Sequence, residues 1–246
     1  MIYSVVIPMY NEKAIAESCV SELSDKLEEA ALAFSFEYEI IVSDDGSTDG
    51  SGDIVRDYAA KNPLDHGKIR VITADRNRGK GSAVRLGMLE AAGDYILFTD
   101  SDLAYGVDSC VDMLRQISDT KGDVLIGSRA RHKEGYAGYT FIRKLASKVY
   151  MSLLAVSAGF SYSDSQCGIK VFKKSAAHKV FSMCEVDGWA FDFEALLIAE
   201  KAGFKIEEYP VKIINHRESK IRLVRDSLKM MRDISHIKKR ISKLSI

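Results

Sequence analysis

Two aspartates one residue apart, Asp100 and Asp102, close the apolar run Tyr95-Ile96-Leu97-Phe98. The run reads as a buried strand, and its abrupt end puts both carboxylates on turning backbone at the strand's exit. From there they can converge on one hard cation from the same side. Mg²⁺ or Mn²⁺ held by one or two carboxylates completes its octahedron with waters and ligand phosphates. The pair therefore points to chemistry on a diphosphate. Read alone, Asp-x-Asp at a strand end serves equally well as turn chemistry with solvated acids.

Three further strand exits carry residues of the same kind. They are Pro8-Met9-Tyr10-Asn11-Glu12, Asp44-Asp45-Gly46-Ser47-Thr48-Asp49 and Arg76-Asn77-Arg78-Gly79-Lys80-Gly81. Each has a plain alternative: Ser47, Thr48 or Asp49 as a helix cap, and Arg78 to Gly81 as a basic turn. Four such exits in succession are harder to dismiss.

The elements that must position these residues alternate. Strands are expected at Val5–Ile7, Glu39–Ser43, Ile69–Thr73 and Tyr95 to Asp100. Helices are expected from about Glu12, with the stripe Ile15, Cys19, Leu23, Leu27 and Ala31, then over Ser51–Ala60 and Lys80–Ala92. This order implies an α/β fold with a mostly parallel sheet covered by helices. Ligands of open parallel sheets sit beyond the carboxyl ends of the strands. Further on, a helix follows Asp102 (Val107, Val111, Leu114, Ile117), then a strand at Asp123–Gly127. Helices at Ile142–Ala158 and Trp189–Ala202 and a strand at Tyr209–Ile214 complete the reading.

The bulk properties agree. A chain of 246 residues with 46% hydrophobic residues and three prolines is globular. Net charge is zero, so no nucleic-acid partner is expected. The four cysteines are widely spaced, which suits reduced thiols better than a disulfide frame or a zinc site. No signal peptide is visible, and Phe141–Phe160 is interrupted by Arg143, Lys144 and Lys148. The chain is expected in the cytoplasm, free or docked peripherally on the cytoplasmic face of a membrane.

Taken in order, the four exit motifs resemble those of family-2 inverting glycosyltransferases with the GT-A fold, a Rossmann-like, mostly parallel sheet flanked by helices. Gly127-Ser128-Arg129, Asp164-Ser165-Gln166-Cys167-Gly168-Ile169-Lys170, Trp189-Ala190-Phe191-Asp192-Phe193-Glu194 and Ser219-Lys220 narrow the resemblance. They look like the dolichyl-phosphate glucosyltransferase and polyprenyl-phosphate sugar transferase branch. The resemblance implies one domain over 1–220, with a nucleotide-sugar half at 1–102 and an acceptor half at 103–220.

It also implies roles. Pro8, Tyr10, Glu12 and Asp45 would line the nucleoside pocket, with Asp44 adjacent and structural. Lys80, Asp100 and Ser101 would meet the nucleotide sugar, and Asp100 and Asp102 would hold Mg²⁺ or Mn²⁺. Gly79 and Gly81 would let the sugar donor approach Lys80 closely. Asp192 is the candidate general base, or else a carboxylate placed for the helix dipole. A phosphate-monoester acceptor, with a second pKa of about 6, is already ionised and needs cations more than a base. Arg129, Arg131, Gln166, Lys170, Arg217, Ser219 and Lys220 are the candidates for holding it. His216 is a candidate third metal ligand, and Tyr136, Tyr139 and Phe141 a candidate acceptor lid or a packed cluster.

Residues 221–246 form a basic amphipathic helix: eight Lys/Arg stand against Asp226 and Asp233. Such a helix lies on an anionic membrane or packs on the core. The expected reaction is inverting, metal-dependent transfer of a hexose from a UDP-glucose or GDP-mannose type donor to a polyprenyl phosphate. The rivals are the same chemistry on a hydroxyl acceptor in cell-surface polysaccharide or glycoconjugate synthesis, and a nucleotide-sugar-binding regulator without turnover.

Overall fold

The computed structural model describes residues 1–136, 162–215 and 223–244, the side chains of 223–232 excepted. Its strands are β1 (Ile2–Met9), β2 (Glu37–Asp44), β3 (Gly67–Thr73), β4 (Tyr95–Phe98), β5 (Val124–Ser128), β6 (Lys170–Lys173) and β7 (Ile206–Pro210). Its helices are α1 (Ala16–Phe34), α2 (Ser51–Lys61), α3 (Lys80–Glu90), α4 (Val107–Asp119), α5 (Lys174–Met183), α6 (Phe191–Lys201) and α7 (Leu223–Ser242). The strands join in one sheet of order β3-β2-β1-β4-β6-β5-β7. All neighbours are parallel except β6, which runs antiparallel between β4 and β5.

Strand side chains alternate between faces, and here both faces are buried. Val5, Ile7, Ile40, Val42, Leu97 and Leu125 meet α1 and α4, where Leu23, Leu27, Leu114 and Ile117 lie. Val6, Ile41, Ile96, Phe98, Ile126 and Phe172 meet α3, α5, α6 and α7. This explains the unbroken apolar runs of β1 and β2. Parallel pairing places Met9 opposite Asp44 and Asp44 opposite Thr73, while Val6 stands opposite Phe98. The four exits therefore open on one rim.

Three expectations fail. The segment before Phe181 contains β6 and α5, which Lys170-Val171-Phe172-Lys173-Lys174 conceals behind its lysines. The strand expected at Tyr209–Ile214 is β7, ending at Pro210. Its Glu207-Glu208 pair masks it, and Val211 and Ile214 then bond to Ser128 and Ala104 carbonyls instead. Helix α1 starts at Ala16, after a turn in which the Glu12 carbonyl accepts from Ile15 and Ala16. The helix expected at 142–158 lies outside the described residues.

The end of α7 is docked on the core. Ile234, Ile237 and Ile241 are buried with α6. Arg240 donates to the Glu194 carboxylate at 2.5 Å and the Met183 carbonyl at 3.0 Å. Lys201 caps the Ile241 and Ser242 carbonyls at the helix end. Glu194 is fully buried, so Arg240 is its counter-charge. Arg240→Ala is expected to lower stability by about 3 kcal/mol, because removing one partner strands a buried charge. Urea unfolding measures it, and an unchanged midpoint would refute the docking role.

Candidate active site

Each strand exit is fastened to the next. Asn11, in the left-handed region at φ 51°, accepts from the Thr48 amide and donates its own to Ser47 Oγ, both at 2.9 Å. The Glu12 amide donates to Ser51 Oγ and the Lys13 amide to Asp49. Ser47 and Asp49 thus join two loops; Gly50 at the N-cap of α2 offers no side-chain bond, and Asp49 accepts from the amide of Ser51, the first residue of the helix, at 3.0 Å. Asp45 reaches the third loop, accepting from the amides of Arg78 at 3.0 Å and Gly79 at 2.7 Å. Burial pushes its carboxyl above the usual aspartate range despite those bonds. Pro8 is buried in β1, whereas Tyr10 is 40% exposed at the rim.

The Gly79–Gly81 turn is pressed from the other side by the loop leading into α6. Gly81 and Ser82 amides donate to the Asp187 carbonyl, and Arg85 bonds the Asp187 carboxylate at 2.6 Å. A Cβ on Gly81 would collide with the Val186 carbonyl and with Phe191. The glycines therefore admit the chain's own backbone, a different reason from the approach of a sugar donor expected from sequence.

What this packing brings together is a row of alternating charges. Lys80 Nζ lies 2.5 Å from Asp100 Oδ1. Burial works against the Lys80 charge, but Asp100, Asp192 and Asp102 more than offset it and hold the ammonium above the ordinary lysine value. Asp192, in the first turn of α6 and 5% exposed, accepts from Lys170 Nζ at 2.6 Å. Burial raises its carboxyl above the ordinary aspartate value, with Lys170 and Lys80 opposing. Lys170 itself is fully buried, its ammonium shared between Asp192 and the Cys167 carbonyl. It has no exposed surface, whereas the sequence reading had put it on the acceptor directly.

Asp102 lies on the same loop, its Oδ1 accepting from the Ala104 amide at 3.1 Å. Leu103 between them is left-handed at φ 47° and buried; burying its side chain offsets the roughly 1–2 kcal/mol of that conformation. Ser101 lies on the same turn, half-buried. A cleft of about 350 Å³ opens beside Asp102, lined by Ser18, Glu22, Leu103 and Asn215 among others. Among the described residues no group of three metal-binding side chains forms. Two oxygen ligands at an open rim, one already against an ammonium, fit a hard cation completed by diphosphate and water. His216 lies outside the described residues.

The acceptor candidates divide. Arg129 forks onto fully buried Asp164, Nε–Oδ2 2.6 Å and Nη2–Oδ1 2.7 Å, with Tyr136 5.6 Å from its guanidinium. Arg131 pairs with Glu208 at 2.7 Å on the surface. Gln166 Nε2 and Ser165 Oγ are buried without a hydrogen-bond partner. Arg217, Ser219, Lys220, Tyr139 and Phe141 lie outside the described residues. Sequence reasoning missed Asp164 and Asp187 as the groups that hold Arg129 and the α6 loop. Their only signal was proximity to motifs.

Lys170→Met is expected to lower stability by about 3–5 kcal/mol, the cost of stranding a buried charge. Adding Asp192→Asn should restore part of it, as a double-mutant cycle in urea would show. Additive losses would mean the two do not interact.

Comparison with known proteins gives the family and the fold. The model of the family described as Glycosyl transferase family 2 matches residues 4–181. A dolichyl-phosphate beta-glucosyltransferase of Drosophila melanogaster is 35% identical over 238 residues, 94% of this chain and 72% of the relative. The human protein of that name is 34% identical over 244 residues, 96% and 75% of the two chains. Among solved structures, glucosyl-3-phosphoglycerate synthase from Mycobacterium tuberculosis, with Mn²⁺, UDP and phosphoglyceric acid, superposes with a TM-score of 0.71. Identity there is 18%, over 100% of this chain and 80% of that one. Mannosyl-3-phosphoglycerate synthase from Rubrobacter xylanophilus gives 0.69 at 17%, over 100% and 76%. The fold is the GT-A fold, and the chain is a glycosyltransferase belonging to glycosyl transferase family 2.

Proposed function

We propose that the enzyme transfers a hexose, glucose by analogy with its relatives, from a nucleotide diphosphate sugar to a polyprenyl phosphate of the dolichyl type, with inversion. The observation that carries this is the row Asp100, Lys80, Asp192, which sets a cation between a rim carboxylate and a buried one. Pro8, Tyr10, Glu12 and Asp45 would line the nucleoside pocket, and Ser101 would meet the nucleotide sugar. Asp100 and Asp102 would hold Mg²⁺ or Mn²⁺, whose chemistry there is to neutralise charge on the departing nucleoside diphosphate. Lys80 donates to the same diphosphate.

In the transfer an acceptor oxygen forms its bond to the anomeric carbon as the bond to the β-phosphate oxygen breaks, that electron pair leaving with the diphosphate. An ionised phosphate acceptor brings no proton to remove, so Asp192 orients the attack and balances Lys80 and Lys170. The unpartnered Gln166 amide and Ser165 hydroxyl support an anion on that side, with Arg129, Arg131, Arg217, Ser219 and Lys220 as further candidates to hold it.

The test uses purified protein, Mg²⁺ or Mn²⁺, a short polyprenyl phosphate and tritiated UDP-glucose or GDP-mannose. Label should enter the organic phase, and Asp102→Asn should cut it about 100-fold or more. Label confined to the aqueous phase would sink the lipid acceptor.

No helix among the described residues is long and apolar enough to cross a membrane. Lys238 and Lys239 are exposed on α7 and Lys243 just beyond its end, while Ile234, Ile237 and Ile241 face the core, which supports peripheral contact with anionic lipid. Reversing all three to Glu should weaken sedimentation with phosphatidylserine vesicles at least about tenfold, at about 1 kcal/mol per basic residue. Equal binding by the variant, or binding indifferent to salt, would reject the contact.

A further inference from the structure

We propose that Trp189 is the platform against which the hexose of the sugar donor stacks, and so a determinant of which hexose is accepted; this rests on the sugar-donor reading above. Trp189 is the single tryptophan of the chain. It is 42% exposed, although Ala190 and Phe191 beside it are buried. A tryptophan serving only to fill the core would be covered.

Its backbone is held rigidly. The Glu194 carboxylate accepts from the Glu185 and Val186 amides, and the Asp187 carbonyl accepts from Gly81 and Ser82. Arg85 bonds the Asp187 side chain, and the Phe191 amide returns to the Gly188 carbonyl. An exposed aromatic on an over-determined loop is a preorganised contact, with little ordering left to offset on binding.

Its position selects the hexose over other parts of the substrates. Lys80 Nζ lies 5.5 Å from the indole centroid, within cation–π range. That ammonium is the one paired with Asp100, so a single group separates the ring from the diphosphate carboxylate. Asp192 follows three residues later. The ring thus lies against Lys80, the member of the row between Asp100 and Asp192. In an in-line displacement the anomeric carbon must sit between the leaving and attacking groups. A pyranose offers C–H groups on its faces, and the negative face of an indole complements them.

Calorimetry with Mg²⁺ and either UDP or UDP-glucose reads the contact, and the lone tryptophan reports it independently by fluorescence. UDP-glucose should shift the wild-type emission more than UDP does. Trp189→Ala should weaken UDP-glucose about tenfold and UDP less than twofold, while Trp189→Phe stays within about threefold for both. Thermal melts confirm that both variants fold. Equal weakening of UDP and UDP-glucose would reduce Trp189 to a support for Lys80 and overturn the proposal. So would unchanged UDP-glucose affinity with a raised KM for polyprenyl phosphate, which would move the ring to the acceptor. If the wild type binds neither this pair nor GDP and GDP-mannose, the sugar-donor reading falls and this inference with it; if it binds either pair and Trp189→Ala changes nothing, this inference alone falls.

Discussion

A row of charges withdrawn from water governs the arrangement of this enzyme's rim. Asp100, Lys80, Asp192 and Lys170 alternate in sign, and the last two are almost entirely buried. A desolvated ion is tolerated only beside its opposite. Each member therefore dictates where the next element must lie: α3 against the exit of β4, α6 against α3, and β6 beneath α6. Lys170 has no apolar substitute in this scheme, which is why a lysine occupies the interior of the sheet. The hydrogen bonds of Asp45 and Asp187 serve the same end by clamping the Gly79–Gly81 turn from both sides.

Chemistry follows from that constraint. A site in which carboxylates and ammoniums already hold one another is preorganised. Asp100 meets the rim and Asp192 the interior, so two identical side chains hold different environments and different roles. The antiparallel strand β6 makes this possible. It reverses direction after the turn carrying Asp164 to Gly168 and returns Lys170 under Asp192, leaving Gly168 hard against the Asp100 carboxylate.

The C-terminal helix illustrates how the same sequence supports two uses. Its isoleucines pack on the core and Arg240 answers the buried Glu194, while Lys238 and Lys239 are exposed. Amphipathicity alone is compatible with a bilayer or a protein partner, since both remove apolar surface from water. Here the protein core takes Ile234, Ile237 and Ile241 of that face.

The sequence by itself determined the first half of the fold and the rim on which the strand exits meet. Long apolar strands, periodic helices and polar exits are local signals, and parallel connection forces those exits onto one rim. Asp100, Asp102, Lys80 and Asp192 were legible because their types and motifs stand out. Tertiary structure decided what those residues do to one another. That Asp45 holds backbone amides, that the glycines admit the Asp187 loop, and that Lys170 serves Asp192 depend on groups far apart in the chain. β6 and β7 were misread for the same reason: their lysines and glutamates find buried or paired positions only after distant segments meet. Local pattern records a side chain's preference for water, and the fold decides which partner replaces it.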